Sequence, residues 1–330
     1  MRQLNRDDLL AMVASLYYEQ DCNQQEIAAR LQISRSNISR MLQEAKAKGI
    51  VEVRVRKPIY RDEALETQLT QRFGLKQALV FDSLGRRDRS SLPEAGRLAA
   101  QYLQETLRPH DSLAISWGTG VHSVVAALHT MPDAHVDVVQ MIGSVGAANP
   151  QIDGTELARR LAEILGGQYY YLHAPILVEN PAVRDLLLAE PAIQETLNRA
   201  RQASTALVGI GTTVAGANSF VRAGHLTEGQ LTELRAQGAV GETCGQHFDE
   251  AGSPAHLPIN RRVIGIELDA VKHIPMVIAV ACGLAKGRAI DAALRSGYAH
   301  VLATDDVTAR AVLEQSTQRA TAALRATVVV

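Results

Sequence analysis

From residue 78 onward, short apolar runs alternate with longer amphipathic segments, and few folds accommodate that rhythm. The runs lie at 78–81, 112–116, 136–141, 168–172, 206–210, 262–266, 276–281 and 301–303. Segments with apolar residues at helical spacing fall between them, at 92–107, 120–129, 155–165, 181–201, 227–237, 284–295 and 306–323. Strand–helix alternation of this length predicts an α/β body: a doubly wound, mostly parallel, Rossmann-like sheet with helices on both faces. Such sheets bind ligands outside the carboxyl ends of their strands, which selects the loops worth reading. A connecting helix is expected ahead of the first strand, because Ala64, Leu65, Leu69 and Phe73 share a face and Gly74 ends the pattern. The body, residues 59–330, is expected to form one effector and oligomerisation domain, since no repeat or low-complexity tract divides it.

The first 58 residues obey a different pattern. Across residues 24–42, Ile27, Ala28 and Leu31 form one apolar stripe, and Ile38, Met41, Leu42 and Ala45 form a second. Only Gln32, Ile33 and Ser34 separate the stripes, enough to turn the chain and no more. Ala28 supplies the small side chain that a close helix crossing needs, and Ser34 is placed to cap the second helix. That helix leaves Arg35, Ser36, Asn37, Ser39, Arg40 and Gln43 outside its stripe. These side chains suit base edges and phosphates and add little to a core. A helical hairpin with a polar outer face has the same composition. The short turn, the spacing and the residue types together favour a helix-turn-helix for double-stranded DNA.

Val51, Val53 and Val55 then alternate with Glu52, Arg54 and Arg56. This period of two suits the wing of a winged helix-turn-helix, or an edge strand with a charged outer face. Residues 1–58 hold ten Lys/Arg against seven Asp/Glu, whereas the rest holds 24 against 28. A weakly basic head therefore precedes an acidic body. The surplus is too small to identify a nucleic-acid binder alone, although a multimer presenting several heads adds their phosphate contacts. One Trp and four Phe leave little for base stacking, which argues against a single-strand or RNA binder.

Cys22, Cys244 and Cys282 form no CxxC pair and suit a reducing compartment. Cys244 and His247 have half-site spacing for zinc, but no second half follows, so neither metal nor cofactor is expected. Arg2, Arg6, Asp7 and Asp8 stand where a signal peptide would be apolar, and the longest uncharged apolar run, 274–285, is too short for a bilayer. A cytoplasmic protein without membrane contact is expected.

The loop from Trp117 through Gly118, Thr119 and Gly120 follows a strand and opens a helix. Its amides, with the hydroxyls of Thr119 and Ser123, can hold a phosphate or several hydroxyls. A tight turn needing glycine for geometry alone reads the same. It is half a dinucleotide fingerprint, and no acidic residue at a second strand end completes it. Gly143 and Ser144, and then Thr212 and Thr213, sit in further strand-end loops and add hydroxyls. The glycine-rich connection 238–249 carries Glu242, Gln246, His247 and Asp249, whose carboxylates suit sugar hydroxyls or simply solvent. Lys286 and Arg288 fall at the start of a helix, where cations oppose the helix dipole, an arrangement that points to an anionic ligand. No GxSxG, HExxH or GxxxxGK[ST] is present, so no catalytic residue is assigned.

Together these residues resemble the SorC-type family of bacterial sugar-responsive transcription regulators, to which deoxyribonucleoside and autoinducer-2 regulators belong. The likeness runs from Leu9 to Leu313. It rests on residues 24–42, Ser116 to Thr119, Val208 to Gly211, Val221 to Gly224, Gly238 to Gly241, Phe248-Asp249, 263–266, 286–294 and 301–305. The resemblance implies a DNA-binding head joined to an effector domain similar to sugar-phosphate isomerases but without enzyme activity, usually assembled as tetramers; dimers or tetramers are expected of this chain. It implies that Thr119 and the Gly143–Ser144 turn line a phosphate side. It also implies that Glu242 and Lys286 hold a sugar, sugar phosphate or polyol effector from opposite loops.

Three departures matter. Gly120 stands where a hydroxyl residue is usual, which admits a non-phosphorylated sugar or polyol. Ile142 stands where the deoxyribose-phosphate regulator carries a Schiff-base lysine, so no covalent effector is expected there. Gln246 and His247 replace bulkier aromatic residues and make that wall more polar. The alternative function is an active sugar-phosphate isomerase or deaminase with an accessory DNA-binding head, which fold alone does not separate.

Overall fold

The computed structural model describes residues 5–51, 58–85, 90–146, 150–254 and 256–328, so the expected wing strand at 52–57 lies outside the described residues. The chain divides into two compact units, Met1–Pro58 and Ile59–Val330. No described helix is long and apolar enough to cross a membrane.

The described helices of the first unit are α1 (Arg6–Tyr18), α2 (Gln24–Leu31) and α3 (Arg35–Ala47). Each starts where a polar side chain accepts an otherwise orphaned amide: Asn5 from Asp8, Asn23 from Gln25 and Glu26, and Ser34 from Asn37. Between α2 and α3 the chain turns at Gln32, whose φ of 53° lets the Ile33 N–H reach the Ala28 carbonyl at 3.0 Å. Leu10, Val13, Ile27, Ile38, Met41, Leu42 and Ala45 close the core, and Ala28 and Leu31 pack against it. Both expected stripes are therefore the inward faces.

In the second unit α4 (Glu63–Phe73) leads to β1 (Gln77–Phe81), α5 (Leu92–Thr106), β2 (Ser112–Ile115), α6 (Thr119–Val125), β3 (Val136–Gln140), α7 (Gly154–Leu165) and β4 (Gly166–Tyr170). Next come α8 (Pro181–Ala189), α9 (Pro191–Arg201), β5 (Thr205–Gly209), β6 (Gly211–Thr212), α10 (Ser219–Arg222), α11 (Glu228–Ala236), β7 (Ala239–Thr243) and β8 (Gln246–Asp249). Last are α12 (Leu268–His273), β9 (Met276–Val280), α13 (Gly287–Arg295), β10 (Val301–Asp305) and α14 (Asp306–Val328).

The main sheet has the order β1-β10-β9-β5-β2-β3-β4, with parallel pairing throughout. Successive residues of a strand serve opposite layers. Leu79, Leu113, Ile115, Val138, Leu207 and Ile278 pack with α5, α6 and α7. Val80, Ala114, Val139, Val208 and Ala279 pack with α4, α9, α12 and α13. Burial on both faces is why these strands read as unbroken apolar runs. The chain steps from β2 outward to β3 and β4, then from β5, beside β2, the other way to β9 and β10. That reversal opens a crevice at the carboxyl ends of β2 and β5.

Three expectations are corrected. Residues 181–201 form two helices, because Glu190 precedes Pro191 and is held extended at ψ 128°. The run 262–266 is not a strand of the sheet: Val263 and Gly265 make isolated bridges to Leu177 and Ile142. Its apolar character reports burial, which a sheet member and a core-lining segment share. Finally, the connection 238–249 is a β7–β8 hairpin that joins β6 in a three-stranded antiparallel sheet.

Candidate functional site

On α3, Arg35, Ser36, Asn37, Arg40 and Gln43 are exposed and Ser39 is half-buried, opposite the buried Ile38, Met41, Leu42 and Ala45. Arg6 pairs with Glu44, and Lys48 with Asp7 at 2.7 Å. Arg35 and Arg40 form no ion pair among the described residues. Two guanidinium groups on an otherwise uncharged stretch thus stay available to phosphate oxygens or guanine edges.

In the body, two hydrogen bonds gather the β7–β8 hairpin and the loop after β9 near the carboxyl end of β5. Cys244 and Gly245 both have positive φ, 50° and 75°, the two-residue turn that a tight hairpin requires. Pairing of Gly211 with Glu242 sets β7 against β6, and the Thr243 hydroxyl donates to the Gly209 carbonyl at 2.8 Å. Glu242 is carried over the end of β5 in this way and is only 5% exposed. A second bond, from the Thr212 hydroxyl to the Ala285 carbonyl at 2.9 Å, ties the loop after β9 to the same place and brings in half-buried Lys286.

The electrostatics follow from burial. Desolvation pushes the Glu242 carboxyl up to about 7, and the charge of Lys286 opposes that rise. Desolvation lowers the Lys286 ammonium, with Glu242 opposing. Each therefore feels the other, yet no ion pair within 4.0 Å joins them among the described residues. Opposite charges held near but apart in a strand-end crevice can take a ligand's hydroxyls and an anionic group between them. Exposed Arg222 on α10 also depresses Lys286, so a second cation stands close by. Arg222 carries no sequence signal beyond its place in the Val221–Gly224 match. A cavity of about 470 Å³ opens alongside, lined by Thr212, Thr213, Arg235, Ala285 and Arg288.

The other expected residues fare differently. Gly118, at φ 107°, caps α6 and donates its N–H to the Ile152 carbonyl, and the half-buried Thr119 follows it. The Ser123 hydroxyl is turned back to the Gly120 carbonyl at 2.6 Å. Gly143 lies where a Cβ would come within 2.4 Å of the Pro175 carbonyl oxygen. Beside it, Ser144 Oγ donates to Asp153 Oδ2 at 2.7 Å, and the Val145 N–H donates to the same oxygen. The expected phosphate side thus already holds a carboxylate, which repels an anion. Asp249 is not gathered with Glu242 and Lys286 by any described bond; its Oδ1 accepts from the Ser253 N–H within its own turn. Lys286 precedes α13 as its cap, and Arg288 is answered by Glu250 at 2.7 Å, which removes Arg288 from the argument for an anion. Among the described residues, no cluster of His, Cys, Asp and Glu is arranged to hold a metal.

Gly120 has a packing reason of its own. A Cβ there would lie 2.5 Å from the Val280 carbonyl oxygen. Gly120→Ser, which supplies the hydroxyl usual at this position in the resembling family, is therefore expected to cost about 1–3 kcal/mol without adding phosphate affinity. Chemical denaturation and phosphate titration of the variant check both parts.

Comparisons with known proteins bear on both units. The Sugar-bind family model, a sugar-binding domain, matches residues 57–314, and a MarR family model matches residues 10–57. The deoxyribonucleoside regulator of Bacillus subtilis (strain 168) is 33% identical over 308 residues, covering 93% of this chain and 98% of its own. The transcriptional regulator LsrR of Enterobacter sp. (strain 638) is 32% identical over 316 residues, covering 94% of each. Among solved structures, the full-length sorbitol operon regulator SorC from Klebsiella pneumoniae superposes with a TM-score of 0.69 at 28% identity, over 94% of this chain and all of that one.

Proposed function

The chain belongs to the family of transcriptional regulators that couple the Sugar-bind domain to a helix-turn-helix head, and on that premise we propose that an effector seated between Glu242 and Lys286 sets its affinity for operator DNA. Its relatives and structural neighbours are regulators, which sets aside the isomerase reading. The observation that carries the proposal is the pair itself: a buried carboxyl on β7 and a half-buried ammonium in the loop after β9, each close enough to shift the other. The effector class is a sugar, sugar phosphate or polyol. Relatives named for deoxyribonucleosides and sorbitol support that class. With Asp153 behind the Gly143–Ser144 turn, an anionic group on the effector belongs with Lys286 and Arg222. Thr119 and the Gly118 turn lie across the switch point and are proposed to meet hydroxyls.

We also propose a cytoplasmic homodimer or tetramer. Its support is that operator reading by paired heads needs more than one copy, and that α8 shows Val183 and Leu186 to solvent. Fluorescence anisotropy on a labelled duplex from upstream of the chain's own coding region, with and without a panel of sugars, polyols and their phosphates, tests the function. Duplex binding indifferent to every member of the panel overturns it. In the same assay Arg40→Ala is expected to bind the duplex about tenfold more weakly at physiological salt, with an unchanged melting temperature. Unchanged duplex affinity would show that α3 is not the reading helix.

A further inference from the structure

His247 lies on β8 directly across the hairpin from Glu242, so the two side chains share a face. Its ring is fully buried, and neither ring nitrogen has a hydrogen-bond partner among the described residues. The Phe220 ring lies 5.2 Å from the imidazole, and Trp117 stands edge-on to Phe220 at 5.3 Å. The backbone of His247 is fully served: its N–H donates to Asn260 Oδ1 at 2.8 Å, and its carbonyl accepts from Asn260 Nδ2 at 2.7 Å. The strand is anchored without the imidazole, and a phenyl ring would suit these aromatic neighbours without stranding two polar atoms. Leaving buried polar atoms unpaired costs stability, so such a group calls for a partner.

We propose that His247 selects the effector, giving its ring N–H and its ring lone pair to hydroxyls on the uncharged end of a polyhydroxylated ligand. The inference rests on the seat between Glu242 and Lys286 argued above. Burial keeps the ring neutral, with its titration down at about 4. A neutral imidazole has one donor and one acceptor, which matches hydroxyls; a phosphate uses only the donor and binds cations more strongly. The anionic end, where there is one, stays with Lys286 and Arg222. In this conformation Phe220 covers the ring, so engagement requires the four-residue α10 to give way.

Calorimetric titration of the full chain with D-glucitol, D-glucitol 6-phosphate, D-ribose and D-ribose 5-phosphate tests this, in wild type, His247→Phe, His247→Gln and Lys286→Ala. Melting curves are taken without any probe. His247→Phe is expected to melt a few degrees higher than wild type and to bind the tightest wild-type probe about tenfold more weakly. His247→Gln, which keeps a donor and an acceptor, is expected to recover part of that loss. Unchanged affinity in His247→Phe overturns the inference, whatever the melting temperature. A loss that comes with a lower melting temperature and is not recovered by glutamine also overturns it, because the ring then holds the fold. Binding that depends on Lys286 but not on His247 leaves the seat standing and removes only the role of His247. Wild type that takes none of the probes, or takes them without regard to Lys286, removes both.

Discussion

Lys286→Ala is expected to bind operator duplex as wild type does while responding to the effector about ten- to a hundredfold more weakly. The lysine stands just ahead of α13, in the loop that the Thr212–Ala285 bond ties to β6, and it belongs to a different compact unit from α3. Removing it deletes the charge-assisted contact to the ligand and touches no residue of the reading face. Glu242→Ala is expected to behave alike, since it takes the opposing partner from the same seat. Where the effector normally releases DNA, both variants become super-repressors. Each variant is titrated on labelled duplex with and without the probe that shifts wild type most. Wild-type responses in both would place the ligand elsewhere and sink the site.

The second large effect concerns stability and pH. Folded Glu242 titrates at about 7, against an ordinary value of 4.5, so the folded state holds this proton more tightly than the unfolded chain does. Stability from this group is therefore fully present below pH 4.5 and is lost as pH rises through about 7. A gap of that size corresponds to about 3 kcal/mol. Glu242→Gln, neutral at every pH, is expected to be more stable than wild type by roughly 1–3 kcal/mol at about pH 8, and the difference should shrink towards zero near pH 4.5. Denaturant unfolding of the full chain at both ends of this range measures it. A difference that does not change with pH would mean that Glu242 titrates in the folded protein as it does in the unfolded chain.

Much of this protein was legible in its residues. The stripes Ile27–Leu31 and Ile38–Ala45, the three-residue turn and the Ser34 cap all depend on neighbours within a few positions, and the helix-turn-helix is built from them as read. Parallel strands buried on both faces leave unbroken apolar runs, so the α/β body showed in the pattern too. Glu242 and Lys286 each stood out in their own segments, but their pairing on one ligand came from a resemblance, since nothing in their spacing joins them.

Where the local signal is weak or ambiguous, the structure departs from the sequence pattern. The β7–β8 hairpin turns on Cys244-Gly245 and is rich in glycine and polar residues, so it carries no strong strand signal, and only pairing with β6 makes it a sheet. Residues 262–266 are as apolar as a strand yet line the core beside one. Whether a polar group is free also lay outside the pattern: Glu250 answers Arg288, Asp153 takes the Ser144 hydroxyl, and the His247 ring has no hydrogen-bond partner among the described residues. Sequence by itself determined which residues turn inward and which helix presents arginines, because periodicity is set over a turn or two of chain. Tertiary structure alone decided which side chains come near one another past the strand ends, because strand order and the Thr212–Ala285 and Thr243–Gly209 bonds join segments that no local spacing relates.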